Sequence, residues 1–183
     1  MSSFRLKSTV SFLAVLGTAA LITGHSYSQD PDRQLDLSAT LFKCLTEMAK
    51  VDKGDFFVDN LLGDLDATLA VANSDTGGSY PPGSVVSLIP AEVMVKHREG
   101  WNPATNDWEF IELNLADGEP AFSARGTTEV VNQFGGNCFG CHQLARPEWD
   151  LICASDHGCA PLPVPREALL GMQARDPRCT RED

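Results

Sequence analysis

The sequence predicts an α+β domain: N-terminal helices, an antiparallel β-sheet core, and a C-terminal cysteine–histidine motif. Three observations predict it. Apolar residues recur at helical spacing from Leu41 to Leu69. The period then falls to two, between Val85 and Arg125, after a turn-rich connector over residues 73–84. Behind that β region stands Cys138-Phe139-Gly140-Cys141-His142, which reads Cys-x-x-Cys-His.

The elements follow in order. Arg5 and Lys7, an almost wholly apolar run from Val10 to Ile22, and small residues at Ser26 and Ser28 form a secretory signal pattern. Cleavage is expected near Ser28, since the apolar run is shorter than the roughly 18–20 residues of a membrane-spanning helix. Residues 29–183 are then one domain by length, with a core over about 36–150 and a cysteine-bearing extension from 151 to 183. Ser38 is the expected N-cap of a first helix that carries Leu41, Cys44, Leu45, Met48 and Val51 on one face and ends at Gly54. Phe57, Leu61, Leu62, Leu65 and Leu69 predict a second helix, interrupted at Gly63.

After the connector, Val85 to Ile89 reads as a strand stopped by Pro90, and Val93-Met94-Val95 as a further extended piece. Trp108 to Leu115 alternates, with Ile111, Leu113 and Leu115 on one face. Asp117-Gly118 is a hairpin signal, and Pro120 to Arg125 is the returning strand. Gly135, Gly136 and Asn137 break the chain before a helical turn over 138–146. Pro161, Pro163 and Pro165 enforce an extended crossing into a last helix, Arg166 to Ala174.

The motif has a definite chemistry. Two thiols at this spacing can each form a thioether to a haem vinyl group, and the following histidine supplies an axial imidazole. A zinc site would need a second ligand pair, and Cys153 and Cys159 are too far apart for a zinc knuckle. A redox dithiol would expect a thioredoxin-like βαβ context, which the order of elements lacks. The chain has six cysteines, so four remain after the motif: Cys44, Cys153, Cys159 and Cys179. In an exported chain these imply two disulfides with three possible connectivities. Cys153–Cys159 and Cys44–Cys179 are the expected pairs.

Loss of residues 1–28 removes Arg5 and Lys7, leaving 12 basic against 25 acidic residues, a formal charge of −13. Such a surface repels nucleic acid and anionic membranes, so neither is an expected partner. It suits a basic redox partner protein. The expected location is the periplasm or the exterior.

The order of the pieces resembles the cytochrome P-460 and cytochrome c′-beta family. The likeness runs from Tyr80 to about Asp150 together with the helices before it: Tyr80-Pro81-Pro82-Gly83 opening a strand, Trp108-Glu109-Phe110 on a later one, Asp117-Gly118, and then the motif. The resemblance implies a mainly antiparallel β domain with flanking helices, one haem on His142, a distal side that is often open, and a homodimer. P-460 proteins proper cross-link a strand lysine to the haem, which suits hydroxylamine oxidation, whereas c′-beta members lack that bond and bind gases such as nitric oxide. Here Ser84-Val85-Val86-Ser87-Leu88 holds no lysine, and Lys96, followed by His97, is the nearest strand candidate. The segment from Arg146 to Cys159 elaborates on the family pattern.

The expected function is therefore that of an exported mono-haem c-type cytochrome, in electron transfer or in nitric oxide or hydroxylamine handling. Cys138, Cys141 and His142 are the cofactor residues, with His142 the proximal iron ligand; Lys96, Glu109 and Glu112 are catalytic candidates. An ordinary exposed carboxylate is the other reading of Glu109 and Glu112, a solvated strand end that of His97, and His157 reads as a surface histidine. Trp108, Phe110, Phe122, Phe134 and Phe139 are candidate walls of the haem pocket, and Arg125 and Arg146 candidate propionate partners. Met94, between Val93 and Val95, reads as core or pocket wall. Two other readings stay open: a six-coordinate electron carrier with Met172 or a lysine as sixth ligand, and a disulfide-rich exported domain without haem.

Overall fold

The structure is a computed structural model and describes residues 29–116 and 119–179. Its centre is a six-stranded antiparallel sheet whose spatial order follows the chain: β1 (Ala49–Lys50), β2 (Phe57–Asn60), β3 (Ser84–Ile89), β4 (Glu92–Lys96), β5 (Trp108–Asn114) and β6 (Ala121–Gly126). Among the described residues three α-helices accompany it: α1 (Leu65–Ala72), α2 (Cys138–His142) and α3 (Arg166–Gln173). The α+β class agrees with the sequence reading. The signal pattern and the Asp117-Gly118 turn lie outside the described residues.

The sheet is covered on both faces. On one, Phe57, Val85, Val93, Val95, Ile111 and Leu113 pack beneath a strap that contributes Leu35, Leu37, Phe42, Leu45 and Met48. On the other, Val58, Val86, Met94, Trp108 and Phe110 meet Tyr80, Val130 and Ile152, with Leu65 and Leu69 of α1 and Cys138 and Phe139 of α2 packed against them. Strands β2 to β5 are consequently buried along nearly their whole length. Proline explains one boundary: Pro90 has no N–H for the ladder and lies in the short turn between β3 and β4.

The two predicted N-terminal helices are corrected. The strap is not a helix from Ser38 to Gly54 but two 3₁₀ turns, Ala39–Leu41 and Leu45–Glu47, followed by β1. Ser38 makes no capping bond; its hydroxyl meets that of Thr40. Phe42, Cys44 and Met48 have extended ψ values of 108°, 140° and 162°. A chain that crosses a sheet in short turns also buries a side chain every third residue or so, and this imitates helical spacing. The second predicted helix divides at Gly63, where φ is +88°: Phe57 to Asn60 is strand β2, and only Leu65 onwards is helical. Asn60 makes this turn. Its Oδ1 accepts from the N–H groups of Leu62 (2.8 Å) and Asp64 (3.2 Å), and its Nδ2 donates to Thr68 Oγ1 (3.0 Å).

The C-terminal extension is fastened to both the sheet and the strap. Gln173 Nε2 on α3 donates to the Leu88 carbonyl of β3 at 2.7 Å. The buried Asp176 carboxylate accepts from the Leu45 N–H at 2.9 Å and from Arg178 Nη2 at 2.8 Å. Beside it Cys44 is bonded to Cys179, with Cα atoms 4.9 Å apart, and Cys153 is bonded to Cys159 at 5.7 Å. Both expected pairings are therefore present. Their loops differ greatly, with sequence separations of 135 and 6 residues. In the chain-entropy picture the long bridge contributes about 5 kcal/mol and the short one about 2 kcal/mol. Urea denaturation should accordingly show a much larger loss for Cys44→Ala with Cys179→Ala than for Cys153→Ala with Cys159→Ala.

Candidate functional site

Helix α2 is one turn long and is built by its cap. Asn137 Oδ1 accepts from the Gly140 N–H at 2.6 Å, and Asn137 Nδ2 donates to the Thr128 carbonyl at 2.9 Å. The Cys138 N–H donates to the Val130 carbonyl at 3.0 Å. Gly140 fits under the cap because a Cβ there would lie only 3.0 Å from Asn137 Oδ1. Both motif thiols are unpaired; Cys138 is half-buried and Cys141 exposed. Phe110 of β5 supports the turn from below, its ring 6.3 Å from that of Phe139 and 5.3 Å from that of His142.

The His142 ring is oriented by one bond. Its Nδ1–H donates to the Leu151 carbonyl at 2.7 Å, which places the proton on Nδ1 and leaves the Nε2 lone pair free to ligate. Burial lowers the pKa of this imidazole, so the neutral, ligating form is favoured. The Leu151 carbonyl is itself held through its neighbour. The Asp150 carboxylate accepts from Lys96 Nζ at 2.7 and 2.9 Å, from the Tyr80 N–H at 2.9 Å and from Asn106 Nδ2 at 3.2 Å. The Asp150 carbonyl accepts from Trp108 Nε1 at 2.8 Å. The side chains of Lys96 and Asp150 are 7% and 6% exposed, so the pair is sealed from water. Burial lowers the Lys96 pKa, and the adjacent Asp150 charge opposes that fall.

A second polar group lies on the same face. Glu92 of β4 and Glu112 of β5 are directly opposite each other, and Glu92 Oε1 and Glu112 Oε2 are buried with no hydrogen-bond partner among the described residues. Burial, and then the charge of Glu112, pushes the Glu92 carboxyl up to about 7. Burial raises Glu112 as well. The two carboxyls bear in turn on Cys138, whose thiol is pushed up to about 12 by burial and then by their charge.

Several residues stand elsewhere than the sequence reading expected. Neither Glu112 nor Glu109 is an exposed carboxylate: Glu112 is buried beside Glu92, and Glu109 is 2% exposed on the opposite face. There it accepts from Arg125 Nε (2.6 Å) and Nη2 (2.9 Å) and from His97 Nε2 (2.8 Å). Burial alone would raise its pKa, but the bonds from His97 and Arg125 outweigh that and hold it below the ordinary value. His97 is not at a solvated strand end. It is fully buried, its Nδ1 accepts from the Leu35 N–H at 2.7 Å, and its ring lies 4.1 Å from that of Trp101. This trio fastens the strap to the sheet, away from the motif.

His157 is half-buried rather than a plain surface residue, stacked on Trp149 at 3.8 Å. Arg125 is engaged by Glu109, and Arg146 by Glu148. Phe122 packs on the strap side against Phe42, and Phe134 is 54% exposed, so only Trp108, Phe110 and Phe139 of the five aromatics gather on the motif face. Met94 is on that face, Met48 on the other, and Met172 is half-buried on α3.

Asp150, Glu92 and Asn106 were not singled out from sequence. Their roles depend on the register of β4 against β5 across an eleven-residue connection, which no local signal sets.

The Glu92 carboxyl makes stability depend on pH. Its folded-state pKa is raised from 4.5 to about 7, so its contribution is fully present below about pH 4.5 and is lost as the pH rises through about 7. Glu92→Gln is neutral throughout and should flatten that decline, gaining about 1–3 kcal/mol over the unchanged chain near pH 8. Urea denaturation across pH 4 to 8 checks this; parallel curves for the two proteins would refute it. Comparison of the chain with family models, curated proteins and solved structures found no match.

Proposed function

We propose that this chain is an exported mono-haem c-type cytochrome of the P-460 and c′-beta type, serving redox or small-nitrogen-ligand chemistry. The observation that carries the reading is the state of the six cysteines. Four are joined in two disulfides, and the two that stay free share one helical turn with a histidine whose Nδ1 proton is already engaged. Cys138 and Cys141 would carry the two thioether links and His142 Nε2 would ligate the iron.

The environment of Cys138 favours this over a redox dithiol. A redox dithiol must react as a thiolate, and such a cysteine sits where its pKa is depressed. Here burial and two carboxyls push the Cys138 thiol up to about 12. A neutral thiol suits addition across a vinyl double bond, in which the sulfur bonds to one carbon and the proton goes to the other. Val131, Phe134 and Leu144, close to the turn in sequence, keep exposed apolar side chains, which would suit an apolar macrocycle.

When bound, the haem supplies a one-electron iron centre. The chain's own residues do the rest. Phe110 and Phe139 give the apolar wall, Leu151 holds the Nδ1 proton of His142, and the Glu92–Glu112 pair keeps exchangeable protons on the same face. The six-stranded meander ahead of the motif supports the P-460 and c′-beta type over the small all-α cytochromes c. Lys96, the candidate for a haem cross-link, has its ammonium engaged by Asp150, which favours gas binding or electron transfer over cross-linked hydroxylamine oxidation. The signal pattern accords with attachment outside the cytoplasm, and the acidic surface with a basic redox partner.

Expression with haem c maturation should yield a protein that keeps its haem absorbance after denaturation in pyridine and alkali. Cys138→Ala with Cys141→Ala should lose it entirely; retention would sink the proposal. Nitric oxide or carbon monoxide should shift the ferrous Soret band of the unaltered protein, whereas an unshifted low-spin spectrum would identify an electron carrier with Met172 or a lysine as the sixth ligand.

A further inference from the structure

The Lys96–Asp150 ion pair has a second consequence, which rests on the reading of His142 as an axial ligand. We infer that Lys96 and Asp150 are positioning residues for His142, acting through the backbone carbonyl of Leu151.

The backbone supplies the first ground. Asp150 and Leu151 both have positive φ, +49° and +65°. Single residues of this kind are uncommon outside glycine, and for a bulky leucine they are true outliers. A pair in succession persists only where the surroundings over-determine it. Asp150 provides that. Its carboxylate gathers Lys96 from β4, Asn106 from the loop before β5 and the Tyr80 N–H from the loop before β3, and its carbonyl takes Trp108 Nε1 from β5. Tyr80 and Trp108 are in edge contact at 5.5 Å, and Lys96 Nζ lies 5.1 Å from the Trp108 ring centre.

The second ground is what the left-handed pair accomplishes. Directly after the clamped residue, the Leu151 carbonyl meets His142 Nδ1 at 2.7 Å. The imidazole is thus referenced to β4 and β5 rather than to the single turn that carries it. The partner of a ligating imidazole sets both its orientation and its basicity. A firm Nδ1–H bond makes His142 the stronger donor and favours the ferric state. Among the described residues neither Lys96 nor the Asp150 side chain hydrogen-bonds the ring or Leu151 O, so their effect is exerted through the backbone.

The decisive variant is Lys96→Met with Asp150→Asn. It removes both charges together, so no lone buried charge is left to unfold the chain. The readout is hydrogen exchange of the His142 Nδ1 proton by nitrogen-15 NMR of histidine-labelled protein. That proton exists whether or not haem is attached, so the clamp is tested even if the cytochrome reading fails; the haem absorbance of the denatured wild type tests that reading separately. Exchange should become at least about tenfold faster in the variant. In the haem-loaded protein the ferric-to-ferrous equilibrium should shift towards ferrous by about tenfold, which is about 59 mV for one electron. Trp108→Phe keeps the ion pair and removes one bond to Asp150, so it should change both readouts in the same direction by less; it also serves if the double variant does not fold. Unchanged Nδ1 exchange in a folded variant would overturn the inference.

Discussion

The buried carboxylate of Asp150 is the constraint on which the motif face depends. A charge sealed from water is costly unless paired and fully hydrogen-bonded. Here three groups donate to it, one of them the Lys96 ammonium, and all come from the sheet or the loops leading into it. The ion pair therefore acts less as a source of net stability than as a specification. Only one approach of the segment after the motif satisfies every donor, and that approach puts Leu151 O on His142.

The two faces of the sheet divide the polar residues by parity. Lys96 and His97 are neighbours in sequence, yet one joins Asp150 on the motif face and the other joins Glu109 and Arg125 on the strap face. Glu109 and Glu112 are likewise three residues apart and serve opposite faces. Alternation along a strand makes this division automatic. The strap-side trio is a fastening for Leu35 and the N-terminal segment, whereas the motif-side carboxyls bear on a thiol that is kept neutral.

Much of the fold was legible in local pattern. Strands β3 and β4 followed from short apolar runs on either side of Pro90, β5 from two-residue alternation, β6 from the turn signal before it, and α3 from its apolar spacing after a proline run. The disulfide pairs followed from counting cysteines and from the short Cys153–Cys159 interval. The strap was misread because short 3₁₀ turns laid on a sheet bury residues at intervals close to those of a helix. Phe57 to Asn60 was misread for a related reason: the apolar residues of β2 run without a break in pattern into those of α1, and the boundary is made by Asn60 and Gly63.

By itself the sequence determined the features that are local. These are the Cys138, Cys141, His142 turn, the cysteine arithmetic, the acidic balance and the late position of the motif behind a β region. Tertiary structure alone decided which side chains that turn meets. Asp150, Glu92 and Asn106 enter the site through strand register and through a loop that returns to the sheet, and both are settled by the collective burial of two apolar faces. Contacts between residues 54 positions apart, such as Lys96 with Asp150, arise only when the whole chain has packed, so no window of the sequence contains them.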